Sequence, residues 1–204
     1  MIICSEVGFP SRPTGGGELL PDTKLLPGEL ATPKLNGDRV LMSHEGKFYN
    51  RKMEKYTKMD AEDGLILHKE LNESGSPTDV IWWDLEYMPH GVNKGKAVVI
   101  DVVIPEPLNY HERRLRLCEL NTFRPTDQPF VLPGHILKFP TYCNSMSMQI
   151  LYGQLRRGYE ELFTEETKKQ YLWEGIVVQD ADQPYELTPK QSMNKHLQTK
   201  YRFR

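Results

Sequence analysis

In the stretch ATPKLNGDRVLM over 31–42, Lys34 precedes an Asn36-Gly37 turn signal, and Arg39 follows it closely. A lysine attacks phosphorus only as the free amine, and its ordinary pKa is about 10.4. A neighbouring cation such as Arg39, or a bound metal, disfavours the ammonium and frees the amine. By itself Lys34 is read more simply as a solvated, exposed turn lysine. Further along, WWDLEYM places Asp84 and Glu86 two residues apart, so a strand returns both carboxylates to one face. Such a pair suits a divalent metal or the two hydroxyls of a ribose, although either acid alone would serve as the polar face of a half-buried sheet. Glu174 opens WEGIVVQD, and Gly175 behind it allows a ligand to approach the backbone. Lys200 and Arg202 alternate on TKYRF and would face one way as a double phosphate clamp, or else form a frayed basic end.

These residues need a scaffold of hairpins and helices. Residues 1–30, rich in Pro and Gly, read as loop or short extended pieces. RVLMSHEGKFYNR predicts a β-hairpin with Val40 and Met42 on one face. A helix is expected over residues 60–72, and SGSPT then breaks the chain. DVIWWDLEYM and AVVIDVVI are dense in strand formers, the second reading as a buried strand. NYHERRLRLCELN has helical spacing with Asn109 as its N-cap. NSMSMQILYGQLRRG predicts a helix capped by Asn144 or Ser145, and TEETKKQYL one capped by Thr164 with acids in its first turn. EGIVVQ is a short buried strand. The fold class that follows is α+β, with antiparallel sheets flanked by helices.

The chain has 204 residues, enough for one domain of good size or two small ones. Its formal net charge is -2, so a nucleic-acid partner must find a local basic patch. Arg113, Arg114 and Arg116, with Arg156 and Arg157, would form such patches, and they read equally well as the solvated faces of two helices. The three cysteines, odd in number and without metal spacing, favour a reducing intracellular compartment, cytoplasmic or nuclear. No apolar stretch reaches membrane-spanning length, and the N-terminus is too short and polar for a signal peptide. The scattered histidines give no zinc spacing, and no nucleophile-elbow motif supports Ser-His-Asp chemistry.

Taken in order, several segments resemble the successive motifs of the covalent nucleotidyltransferase superfamily, which holds ATP-dependent DNA and RNA ligases and mRNA capping enzymes. They are KLNGDR (34–39), YNRKMEKYT with Arg51, DLEYM, AVVIDVVI with NYHERRLRL behind it, EGIVVQ and KYR. The chain is most similar to the adenylation domain of ATP-dependent DNA ligases. Each motif is weak alone, and their order and spacing carry the likeness. It spans residues 31–204 as one nucleotidyltransferase domain of ATP-grasp-like fold, after an irregular segment over 1–30.

The resemblance implies an ATP-dependent polynucleotide ligase of DNA ligation and repair, with nicked or broken DNA favoured over RNA. Lys34 would attack the α-phosphate of ATP and carry AMP as a lysyl phosphoramidate, for sealing 5′-phosphate/3′-OH nicks. Glu174 and Lys200 would join it in catalysis. Thr32, Arg39, Arg51, Glu86, Ile100, Lys200 and Arg202 would bind the nucleotide, and Glu86 and Glu174 would hold Mg²⁺ or Mn²⁺. The alternatives are an RNA ligase, a capping guanylyltransferase, or a non-catalytic nucleic-acid-binding module that retains the fold.

Departures from the family pattern shape further expectations. Asn36 stands for the commoner Asp, Leu85 for a motif glycine, and Arg202 for a lysine. Ile100 occupies the place of a Phe that often stacks on the purine, which makes Trp173, Tyr87 or Trp83 the candidates for an aromatic face. Ligases usually continue into an OB-fold, whereas this sequence stops two residues after Arg202. The options are closure by a partner protein, a minimal one-domain enzyme, or a piece of a longer chain.

Overall fold

Asn36-Gly37 turns the chain between two strands that belong to different sheets, β3 (Glu29–Leu35) and β4 (Asp38–Ser43). The computed structural model describes residues 9–10, 13–73, 80–91, 94–119, 136–137, 142–143, 152–153, 156, 173–185, 187–188 and 198–203. In the first sheet β3 lies between β9 (Tyr142–Cys143) and β10 (Trp173–Asp180). Beyond β10 come β12 (Gln198–Arg202) and β2 (Thr14–Glu18). In the second sheet β4 pairs with β5 (Phe48–Asn50) and β6 (Trp82–Tyr87), followed by β7 (Ala97–Val103) and β8 (Ile136–Leu137). A small third pairing joins β1 (Phe9–Pro10) to β11 (Leu187–Thr188). Pairing is antiparallel except for β2 with β12 and β7 with β8. The class is α+β, as the alternation of hairpin and helix signals predicts.

The second sheet carries the larger core. Val40 and Met42 of β4 point inward with Trp83, Leu85 and Tyr87 of β6. Val99 and Val102 of β7 join them, as do Leu67 and Leu71 of α1 (Ala61–Glu73). Burying each such side chain contributes roughly 1.5–3 kcal/mol. Trp83 and Tyr87 are 1% and 0% exposed, so neither supplies an aromatic face to a ligand. The Tyr87 hydroxyl instead donates to Asp63 Oδ2 at 2.8 Å and ties α1 to the sheet.

Helix α2 (Tyr110–Glu119) begins where the capping signal places it. Glu112 N donates to Asn109 Oδ1 at 2.9 Å, and Asn109 N donates to Glu112 Oε2 at 2.8 Å, a reciprocal cap. The Pro/Gly-rich opening is more ordered than expected. Residues 14–18 form β2 along β12, and Leu19 N donates to Arg202 O at 2.7 Å with its side chain buried. The expected helix over 144–158 lies largely outside the described residues; within it Tyr152, Gly153 and Arg156 are described, and they are helical. The helix expected over TEETKKQYL lies wholly outside them. Among the described residues no helix is long and apolar enough to cross a membrane.

Candidate active site

The register of β3, β10 and β12 sets three rows across the first sheet. Lys34 pairs with Gly175 and Gly175 with Arg202; Thr32 pairs with Val177 and Val177 with Lys200. Leu30 pairs with Gln179 and Gln179 with Gln198. Opposed residues share a face and residues two apart return to it, so Thr32, Lys34, Lys200 and Arg202 project from one side. The predicted alternation of Lys200 and Arg202 therefore holds. Lys34 does not match the exposed turn lysine expected, because it sits within β3 and its side chain is 16% exposed.

Glu174 reaches this face through an irregularity. Trp173 pairs with Leu35 and Gly175 with Lys34, so the register slips between them and Glu174 is the extra residue. A bulge of this kind re-aims a side chain. The Glu174 carboxylate forms an ion pair with Lys34 Nζ and accepts from Arg202 Nε at 3.1 Å. Lys34 Nζ also donates to Leu35 O at 3.3 Å. Burial, then the charges of Arg202 and Lys34, lower the pKa of the Lys200 amine.

The facing wall comes from the second sheet. Arg39 pairs directly with Glu86, and Asp84 lies two residues away on the same side. The shared face predicted for the two acids is present, but their tasks differ. Asp84 is 0% exposed and receives Arg39 through Nε at 2.9 Å and through Nη2, together with the Tyr185 hydroxyl at 2.7 Å. Glu86 Oε1 accepts from Gly37 N at 3.1 Å, which fixes the turn after Lys34.

Asp101 opposes Asp84 across β6 and β7, an arrangement of like charges that each acid resolves with its own arginine. Arg113 donates to Asp101 through Nε at 2.9 Å and Nη2 at 3.0 Å. Its guanidinium lies 5.6 Å from the Tyr110 ring centre and 5.3 Å from that of Tyr185. Arg113 is thus a buried strut, neither a phosphate-contacting patch nor part of a solvated face. Arg114 donates to Ile100 O at 3.3 Å.

Between the walls lies a cleft. Thr32, Lys34, Val177, Gln179 and Gln198 line one side, and Arg39, Asp84, Glu86 and Ile100 the other, with Tyr110 at the start of α2. Ile100 is presented by a second bulge, since Asp84 pairs with Asp101 and Leu85 with Val99. Tyr110, hydrogen-bonded to Thr32, is the buried aromatic residue of this lining, and sequence reasoning missed it. Its signal was its place as the first residue after a strong N-cap. The side chain of Trp173 lies outside the described residues. Arg51 is exposed on the turn after β5 and outside the lining, near enough for its charge to act on Lys200.

Among the described residues no three acids, histidines or cysteines gather as a metal site. Glu86 on the second sheet and Glu174 on the first are hard oxygen donors. That donor set fits an ion such as Mg²⁺, which takes one or two protein carboxylates and completes its shell with water and substrate phosphates.

Burial pushes the Glu86 carboxyl up from 4.5 to about 7, against the pull of Lys34, of Arg39 and of the Gly37 N–H. A raised folded-state pKa means the native state holds this proton more tightly than the unfolded chain does. Its stabilising contribution is complete below pH 4.5 and is lost as pH rises through about 7. Urea midpoints measured across that window should fall with pH for the unaltered chain relative to Glu86→Gln, whose amide does not titrate. A constant gap between the two would contradict this assignment.

No family model matches the sequence, and no match is found among curated proteins. Solved structures do match in fold. The ligase domain of M. tuberculosis LigD aligns with a TM-score of 0.58 at 15% identity, over 96% of this chain and 59% of that one. Mycobacterial DNA ligase D complexed with ATP and MES gives 0.57 at 14%, over 96% and 60%. An archaeal ATP-dependent RNA ligase gives 0.51 at 17%, over 96% and 48%. The chain therefore has the nucleotidyltransferase fold of ligase domains, and it spans about half to three-fifths of the length of these neighbours.

Proposed function

We propose that this chain is the nucleotidyl-transferring domain of an ATP-dependent polynucleotide ligase, with Lys34 as the nucleophile. One observation carries the reading: the bulge at Glu174 brings its carboxylate onto the Lys34 amine, on a face that also bears Lys200 and Arg202. In the first step Lys34 Nζ forms a bond to the α-phosphorus of ATP. The bond from that phosphorus to the bridging oxygen breaks, and pyrophosphate leaves with the electron pair. Glu174 orients Nζ and is the nearest acceptor for the proton it must lose. Lys200 and Arg202 offset the charge that develops on the phosphates, and Arg39 and Glu86 face the ribose. Mg²⁺ or Mn²⁺, held by Glu174 and Glu86, would add further charge neutralisation at the phosphates. The adenylyl group would then pass to the 5′-phosphate of a nick. DNA comes before RNA in this reading because AVVIDVVI followed by NYHERRLRL resembles the corresponding segments of DNA ligases.

The test is incubation with α-labelled ATP or GTP and Mg²⁺, followed by denaturing separation. Label is expected on the protein with ATP, none without a divalent ion, and release on adding nicked duplex or pyrophosphate. Glu174→Ala should slow adduct formation on the order of 10²-fold. Glu86→Ala should act mainly on the apparent nucleotide affinity. An absence of label with both nucleotides would overturn the reading. Label from GTP alone would favour a capping guanylyltransferase.

A further inference from the structure

The cleft holds a feature that phosphate chemistry leaves unused. Gln179 and Gln198, direct partners across β10 and β12, form an amide pair in which Gln198 Nε2 donates to Gln179 Oε1 at 2.7 Å. Both line the cleft, and Gln179 is a buried polar residue at 7% exposure. A buried glutamine amide is retained at a cost unless its hydrogen-bonding capacity is used. The internal bond uses one half of each amide. Gln179 Nε2, a donor, and Gln198 Oε1, an acceptor, remain available, beside one N–H of Gln198 and one lone pair of Gln179 Oε1.

Their position gives them a target. Gln179 lies four residues beyond Gly175 along β10, and Gly175 opposes Lys34. At the rise of an extended strand that puts the amide pair about 13 Å from the Lys34 row. This matches the run of an extended nucleoside 5′-phosphate from its phosphorus to the far edge of a purine. Between the two rows the cleft is walled by Val177 from one sheet and Ile100 from the other, flat apolar sides for a ring.

We infer that the Gln179–Gln198 amide pair reads the base edge and sets adenine over guanine, Gln179 Nε2 donating to a ring nitrogen and Gln198 Oε1 accepting from the 6-amino group. A single glutamine amide recognises adenine by donating to a ring nitrogen and accepting from the 6-amino group, and here two bonded amides divide those roles. The inference rests on the proposed nucleotide site but not on its covalent step, so base-selective binding can be measured even where no adduct forms. Glu in place of Gln179 would present acceptors where a donor stood, which suits the N–H groups of guanine and repels the ring nitrogen of adenine.

The experiment uses the full chain and reads equilibrium nucleotide binding and labelled adduct side by side. Purine-riboside triphosphate, which lacks the 6-amino group, should bind the unaltered protein about tenfold more weakly than ATP, the scale of one hydrogen bond. This arm needs no substitution. Gln179→Glu should lower ATP binding by about tenfold and raise the GTP-to-ATP ratio, while Gln179→Leu should lower ATP binding without that gain. Thermal melting checks that both variants fold. Equal binding of ATP, GTP and purine-riboside triphosphate by the unaltered protein overturns the inference, even if an adduct forms. Selective binding with no adduct in any arm would leave it standing and sink the ligase reading instead.

Discussion

Lys34→Ala is expected to yield no labelled protein at all with α-labelled ATP and Mg²⁺, while keeping its fold. The loss is total because the variant has no amine on the row that faces the bulged Glu174, and positioned cations cannot act without a nucleophile. Folding survives because the Lys34–Glu174 pair is partly solvated, at 16% and 20% side-chain exposure, and Arg202 still holds the carboxylate. Removing Lys34 therefore leaves no unpaired carboxylate on this face. Lys34→Arg should fail as completely, since a guanidinium stays protonated at any usable pH. The measurement is the denaturing adduct assay with a melting curve on each variant. Lys200 shares the face and has a lowered amine pKa, so among the described residues it is the lysine placed to substitute. Label persisting at the unaltered level in Lys34→Ala, located on Lys200 by peptide mass analysis, would move the nucleophile.

Gly175→Ala is expected to cost about 3 kcal/mol or more of stability and to abolish adduct formation with it. Gly175 has φ +150°, which side-chain-bearing residues rarely adopt, and a Cβ there would run into Tyr201 O and come 2.8 Å from Arg202 Cα. Both obstacles are backbone of the neighbouring strand, so β12 must move. Any such movement shifts Arg202 and opens the bulge that aims Glu174. Gly15→Ala is the control, because a Cβ at Gly15 on β2 meets nothing within 4 Å. Urea unfolding of the three proteins separates the outcomes. A Gly175→Ala midpoint equal to that of Gly15→Ala would show that the close approach is not what the glycine serves.

Local signals were enough to place the site's cations and acids on strands. Asn36-Gly37 marks the turn, and period two puts Asp84 with Glu86, and Lys200 with Arg202, on shared faces. Asn109 with Glu112 writes its own cap, so α2 begins where it should. Each of these depends on residues within a few positions of one another, and their physics is complete in a short peptide.

What only the tertiary structure decided is which partner each face meets. Glu174 read as an ordinary strand start, and what brings it onto Lys34 is a register slip against β3, more than a hundred residues away in sequence. Asp84 looked like a metal or ribose ligand, yet Arg39 and Tyr185 take it completely. Arg113 looked like surface charge, and Asp101 draws it inside. Tyr110, Gln179 and Gln198 carry no local mark of a shared cleft, and they line one because two sheets close around them. Alternation fixes the side of a strand on which a side chain stands. Pairing register and desolvation set what faces it, and both are sums over long-range contacts that no short window of sequence contains.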